Sequence, residues 1–171
     1  MRPGGEISTI QPASSHGQDT VGTQGAPPPR PNGPVSVSNA QGGTLTTWGV
    51  GSHALVAQSI GGGGGAGGSA SGIVAQGGPG AYGGEGRSVT AVNAGSIHTH
   101  GTKAIGMLVQ SIGGGGGDGG DAGGLASFGG GASGTSPGGT VTVTHSGRLE
   151  TEGIGATGIF AQSIGGGGGN G

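Results

Sequence analysis

Apolar and small polar residues alternate along this chain in short runs cut off by glycine. Val35-Ser36-Val37 and Val141-Thr142-Val143 show the two-residue period of a strand with one face turned inward. Leu45 and Thr47, Ile97 and Thr99, and Leu149 and Thr151 stand two apart, which places each pair on one face of a strand. Gly43, Gly95 and Gly147 precede these pairs, and Gly49, Gly101 and Gly153 follow them. Leu55, Met107 and Ile159 then lead into a third apolar stretch that ends in Gln-Ser-Ile and five glycines. Residues 37–60, about 24 positions, therefore predict three short strands separated by two glycine-marked corners.

The pattern recurs with a fixed period. Gln58, Gln110 and Gln162 stand 52 residues apart, and the copies align without insertion or deletion. That alignment matches Ser36-Val37-Ser38 with Ser88-Val89-Thr90 and with Thr140-Val141-Thr142. Short, evenly spaced strands with few hairpin signals predict an all-β fold, a parallel β-helix whose coils stack about 4.8 Å apart. Leu45, Ile97 and Leu149 would then form an inward column, with Thr47, Thr99 and Thr151 beside it. The threonine and glutamine columns are expected to form hydrogen-bonded ladders. Ile73 and Leu125, also 52 apart, predict one more short strand and a second, weaker coil in each period. The glycine runs allow two readings, mobile loops or close backbone packing. Loops are the expectation, because five glycines carry no side chain to order them.

Composition sharpens this picture. Glycine supplies 52 of 171 residues, aromatics 2% and charged residues 7%. So few large side chains cannot fill a wide core, which leaves disorder or a thin repetitive fold. Disorder goes with high net charge, and the net charge here is only −2. Glycine does not fall at every third position, so the chain is not collagen. The absence of cysteine excludes disulfides and thiolate-bound metals. Near-neutral charge without a basic patch argues against nucleic acid as a partner. No apolar run approaches the about 18 residues of a membrane-spanning helix.

Residues 1–34 do not repeat, and Ala26-Pro27-Pro28-Pro29-Arg30-Pro31 predicts extended polyproline II within a disordered lead. The repeat region is assigned to residues 35–171. Met1-Arg2-Pro3-Gly4-Gly5-Glu6 lacks the apolar core of a signal peptide. The third copy reaches Gly169-Asn170-Gly171 inside its glycine run without a polar cap, so the expectation is a piece of a longer array.

The pattern Gly-x-[Leu/Ile]-x-Thr-x-Gly, followed by Gly-Ile-x-Ala-Gln-Ser-Ile and glycines, resembles the repeats of bacterial autotransporter passenger domains. In the third copy it reads Gly147-Arg148-Leu149-Glu150-Thr151-Glu152-Gly153, then Gly158-Ile159-Phe160-Ala161-Gln162-Ser163-Ile164. The resemblance covers about residues 35–171. It implies a right-handed parallel β-helix displayed on a Gram-negative cell surface. It also implies an upstream signal peptide and a C-terminal outer-membrane β-barrel in the parent protein. A barrel needs amphipathic strands with aromatic girdles, and this chain holds one Trp, one Tyr and two Phe.

Candidate chemistry is sparse. His98 and His100 share one strand face, and Glu150 and Glu152 occupy the same columns one period later. Stacking could gather them into a metal or acid/base site. The expected reading is a solvated outer face, because Ile97 and Thr99 must point the other way and Thr46 and Trp48 fill those columns in the first copy. Asp118 and Asp121 faintly echo a calcium-binding glycine repeat, but Ala66 and Ser69 replace them in the first copy. No Gly-Lys-Ser/Thr follows a glycine run, so a phosphate-binding loop is excluded. Ser59, Ser111 and Ser163 recur without a histidine at the same spacing and read as structural.

The expected function is therefore non-enzymatic, a surface-displayed stalk or adhesive segment with no cofactor and with an unidentified surface or host ligand as partner. Two other classes compete with it. One is a glycine-rich structural or disordered polymer. The other is a fragment of a β-helical carbohydrate-active enzyme, which would need a carboxylate-lined cleft that seven Asp and Glu residues hardly supply.

Overall fold

β-branched and small residues at alternate positions favour pleated strands, and glycine between them stops each strand after four to eight residues. The structure, a computed structural model, describes residues 33–171. The expected disordered lead and its proline-rich segment lie outside the described residues, apart from positions 33 and 34. Three sets of strands recur. The first set is β1 (Val35–Asn39), β2 (Thr44–Thr47), β3 (Leu55–Ile60) and β4 (Ala70–Gln76). The second is β5 (Val89–Asn93), β6 (Ser96–Thr99), β7 (Ile105–Ile112) and β8 (Ala122–Phe128). The third is β9 (Val141–His145), β10 (Arg148–Thr151) and β11 (Thr157–Ile164).

All pairing is parallel and joins one set to the next. The sheets run β1-β5-β9, β2-β6-β10, β3-β7-β11 and β4-β8. The described residues contain no helix. Leu45, Ile97 and Leu149 stand in register, as do Thr47, Thr99 and Thr151. Gln58, Gln110 and Gln162 also stand in register. The core is narrow. Leu55, Ala57, Val89, Ala91, Ile97, Met107 and Val109 form it, flanked by the half-buried Leu45 and Leu149. Within the middle set β5, β6 and β7 are paired on both sides and are the most fully buried strands, whereas β8 pairs with β4 alone.

One register differs from expectation. β1 pairs with β5 at an offset of two residues from the uniform alignment, so that Val35 faces Val89 and Asn39 faces Asn93. The corner between β1 and β2 holds residues 40–43, whereas positions 94 and 95 alone join β5 to β6. The first copy therefore carries two extra residues at this corner, where Gly42 adopts a φ of 84°. A shift of two leaves every side chain on its original face, so apolar alternation cannot reveal it.

Of the two expected ladders, the glutamine one forms between its first two members and the threonine one does not. Gln58 Nε2 donates to Gln110 Oε1 at 2.5 Å. The threonine column makes no such ladder: Thr47 Oγ1 donates to the Ser52 carbonyl at 2.8 Å, and the buried Thr99 hydroxyl has no hydrogen-bond partner. An unanticipated column takes that role. Asn39 Nδ2 donates to Asn93 Oδ1 at 2.8 Å, and Asn93 Nδ2 lies 3.0 Å from His145 Nδ1. The recurring serines tie the core to the returning chain. Ser59 Oγ accepts from the Arg87 amide, and Ser111 Oγ donates to the Arg87 carbonyl.

The glycine runs are the main correction. They are ordered arms, not mobile loops. Residues 61–69 run outward, β4 crosses at the tip, and residues 77–86 return. Hydrogen bonds recur every third residue. Gly84, Ala81 and Gly78 donate to the Gly62, Gly65 and Gly68 carbonyls within one arm at 2.7–2.8 Å. Gly61, Gly64 and Gly67 donate to the Ile112, Gly115 and Asp118 carbonyls of the next arm. Gly114, Gly117 and Gly120 donate back to the Gly84, Ala81 and Gly78 carbonyls. Three residues per turn is the period of the polyproline II conformation, which has no internal hydrogen bonds and leaves every N–H and C=O for neighbours. Backbone pairing thus supplies the order that side chains cannot. Glycine is required here by close approach: a Cβ on Gly64 would lie 1.9 Å from the Ala81 carbonyl oxygen.

The expected second coil is absent among the described residues. β4 and β8 pair with each other at the arm tips, and Ile73 and Leu125 are 78% and 92% exposed. No inward face opposes them, so they add no core.

Candidate functional site

β6 buries Ile97 and Thr99, which turns His98 and His100 outward on the flank of the β2-β6-β10 sheet. Parallel register sets Thr46 and Glu150 on either side of His98. Trp48 and Glu152 flank His100 in the same way. The indole of Trp48 stacks on the His100 ring, with centroids 3.9 Å apart and planes 8° from parallel. The two imidazoles themselves approach with centroids 3.9 Å apart.

Both histidines converge on one carboxylate. His98 Nε2 lies 2.8 Å from Glu152 Oε1, and His100 Nδ1 lies 2.8 Å from Glu152 Oε2. The His98 contact is diagonal, two residues beyond the in-register partner. Its in-register partner Glu150 is drawn off by Arg148, whose guanidinium donates to Glu150 Oε1. Glu150 Oε2 remains 4.0 Å from His98 Nε2. The side chains of His98 and His100 are 30% and 20% exposed, so the rings are half-covered while Glu152 stays open to solvent.

The electrostatics follow from these contacts. Hydrogen bonds from His98 and then His100 hold the Glu152 carboxyl below the ordinary carboxylate value. The hydrogen bond from Arg148 does the same for Glu150. In return, the Glu150 carboxylate raises Arg148 above the usual guanidinium value. The ligand atoms of His98, His100 and Glu152 all lie within 4.8 Å of one another, as a single metal ion would require. An acid/base reaction would need a cleft to exclude water from this open flank.

The other candidates are not brought together. Asp118 and Asp121 stand three residues apart on an arm. Asp118 Oδ1 accepts from the Asn170 amide at 2.6 Å, which gives it a structural partner. Neither aspartate joins a ligand group among the described residues. The glutamine and threonine columns stand as described above and carry no reactive group. The stack of Trp48 on His100 and the diversion of Glu150 by Arg148 were not anticipated from sequence. The 52-residue spacing of Trp48, His100 and Glu152 was the available signal for the stack. Comparison with protein-family models, curated proteins and solved structures finds no match to this chain.

Proposed function

We propose that this chain is a non-enzymatic, surface-displayed segment of an autotransporter passenger, wound as a right-handed parallel β-helix and serving as a stalk with an adhesive flank. The observation that supports this best is the in-register, parallel stacking of like residues in β3, β7 and β11, where Gln58, Ser59 and Ile60 meet Gln110, Ser111 and Ile112 and then Gln162, Ser163 and Ile164. A stack of this kind extends by repetition, each further copy adding about 4.8 Å of length. The arms widen every layer, since nine residues of polyproline II reach about 28 Å. The mechanism is geometric. The stack holds a binding region away from the membrane, or presents its own side to another surface. Ile73, Val74, Leu125 and Phe128 stand exposed at the arm tips and supply the apolar side for such contact. In the parent protein an outer-membrane β-barrel would carry the segment out.

Antibodies against the repeat region, applied to intact cells before and after external protease, test this reading. The expected result is labelling of intact cells, loss of label on protease treatment, and a parent polypeptide that fractionates with the outer membrane. Label that appears only after lysis, on a protein that fractionates with the cytosol, overturns it.

A further inference from the structure

We propose that His98, His100 and Glu152 form a binding site for one divalent transition-metal ion, of which zinc is the type, on the outer flank of the β2-β6-β10 sheet. Two imidazoles reach the same carboxylate with different ring nitrogens, Nε2 from His98 and Nδ1 from His100, each at 2.8 Å. Without a metal each gap is a hydrogen bond in which the tautomer with N–H at that nitrogen donates to the carboxylate. In the other tautomer of each neutral ring the same nitrogen carries a lone pair, and these two nitrogens and a carboxylate oxygen lie within 4.8 Å of one another. Ligand atoms around a tetrahedral zinc stand roughly 3.3 Å apart, given Zn–N and Zn–O near 2.0–2.1 Å. The gaps must therefore open by about half an ångström, which small side-chain rotations supply. Two nitrogens and one oxygen suit zinc, copper or nickel and not calcium or magnesium, which favour all-oxygen sets. Solvent completes the fourth position on the open side.

The surroundings hold these ligands in place. Ile97 and Thr99 anchor the strand between and beside the histidines in the core. Trp48 stacks flat on His100 and fixes its ring plane. Arg148 occupies Glu150 and leaves Glu152 to face both rings. The composition is also concentrated here. Two adjacent columns hold two of the five histidines, two of the seven acidic residues and the only tryptophan in a chain that is 7% charged. Most other repeat positions hold glycine, serine, threonine or small apolar residues. The ligand set breaks the repeat at the columns where the neighbouring sheet positions keep it.

The single tryptophan makes the test direct. Titrate the full, tag-free chain with Cu²⁺, the tightest-binding probe in the Irving–Williams order, and follow Trp48 emission. Then measure Zn²⁺ binding by calorimetry. The expected result is saturable quenching at one ion per chain, reversed by chelator and competed by Zn²⁺. His98→Ala and Glu152→Gln should each weaken Zn²⁺ binding by about tenfold or more, the scale seen when metal-site groups are removed. His53→Gln and His145→Gln should leave it unchanged. Far-UV spectra matching the parent show that each variant is folded. Zn²⁺ binding that is undiminished in folded Glu152→Gln, or quenching that never saturates, overturns the proposal.

Discussion

Asn39 donates to Asn93 across 54 residues, whereas Gln58 donates to Gln110 across 52. The two amide pairs report different registers in adjacent sheets of one stack. The difference is absorbed by the longer first corner, residues 40–43, where the Gly43 amide closes on the Ala40 carbonyl. Asn93 is fully buried, and it both accepts from Asn39 and donates toward His145. Removing it leaves the nearly buried Asn39 amide only its long, 3.4 Å contact to the Ser96 carbonyl. Asn93→Ala should lower unfolding free energy by about 2 kcal/mol, the cost of a nearly buried donor that loses its close partner. Urea denaturation followed by far-UV signal measures this. A change under a few tenths would show that water replaces the ladder.

The arms predict a sharp contrast between neighbouring glycines. A Cβ on Gly64 would sit 1.9 Å from the Ala81 carbonyl oxygen and 2.7 Å from the Gly117 amide nitrogen. A Cβ on Gly63 would meet nothing within 4 Å. Gly64→Ala should destabilise by about 2–3 kcal/mol or more through forced separation of the arms. Gly63→Ala should be neutral or stabilise by about 0.5 kcal/mol, because alanine restricts the unfolded chain. Mobile loops would tolerate both equally, so equal midpoints for the two variants would refute the ordered arms.

Much of the fold was legible because the period repeats the chemistry. Leu45, Ile97 and Leu149 announced an inward column through spacing alone, and the register places them side by side. The β1 register was not legible. Val35 and Val37 share a face, so moving the strand by two residues changes no apolar contact type. The Asn39, Asn93 and His145 column was the only mark of the true offset, and its third member breaks the identity. The arms were hidden for a different reason. A glycine run has no side-chain pattern to read, and its order arises from backbone bonds at every third residue, within one arm and between neighbouring arms. At the candidate site the columns were legible, but the convergence on Glu152 depended on Arg148 capturing Glu150, a choice between rotamers that spacing does not encode.

The second corner offers a backbone test. Gly51 and Gly155 adopt φ values of 67° and 68°, and Lys103 takes the same place in the middle copy with φ 58°. The Ala104 amide bonds to the Gly101 carbonyl across this turn, which needs positive φ at its third position. Lysine pays a steric cost there that glycine avoids. Lys103→Gly should raise stability by about 0.5–1 kcal/mol after allowance for glycine's freer unfolded state. Gly155→Lys should lower it by a similar amount. Thermal denaturation of both variants checks the pair, and the opposite order would show that this turn carries no strain.

The Glu152 contacts predict an acid-side effect with a defined sign. Its carboxyl is held below the ordinary value by His98 and His100, with Glu150 and Arg148 the other charged groups on the same flank. A group whose folded pKa is depressed stabilises the fold above its unfolded pKa. That contribution disappears as pH falls through the lower folded value. The parent should therefore melt higher than Glu152→Gln above the ordinary carboxylate range, and the two curves should converge as pH falls through the lowered folded value. Added salt should shrink the gap at the higher pH, because the carboxylate is exposed and screened. Melting temperatures collected across pH 3–7 at two ionic strengths measure both effects. A gap that stays constant through the acid range would mean that Glu152 acts through packing and not through its charge.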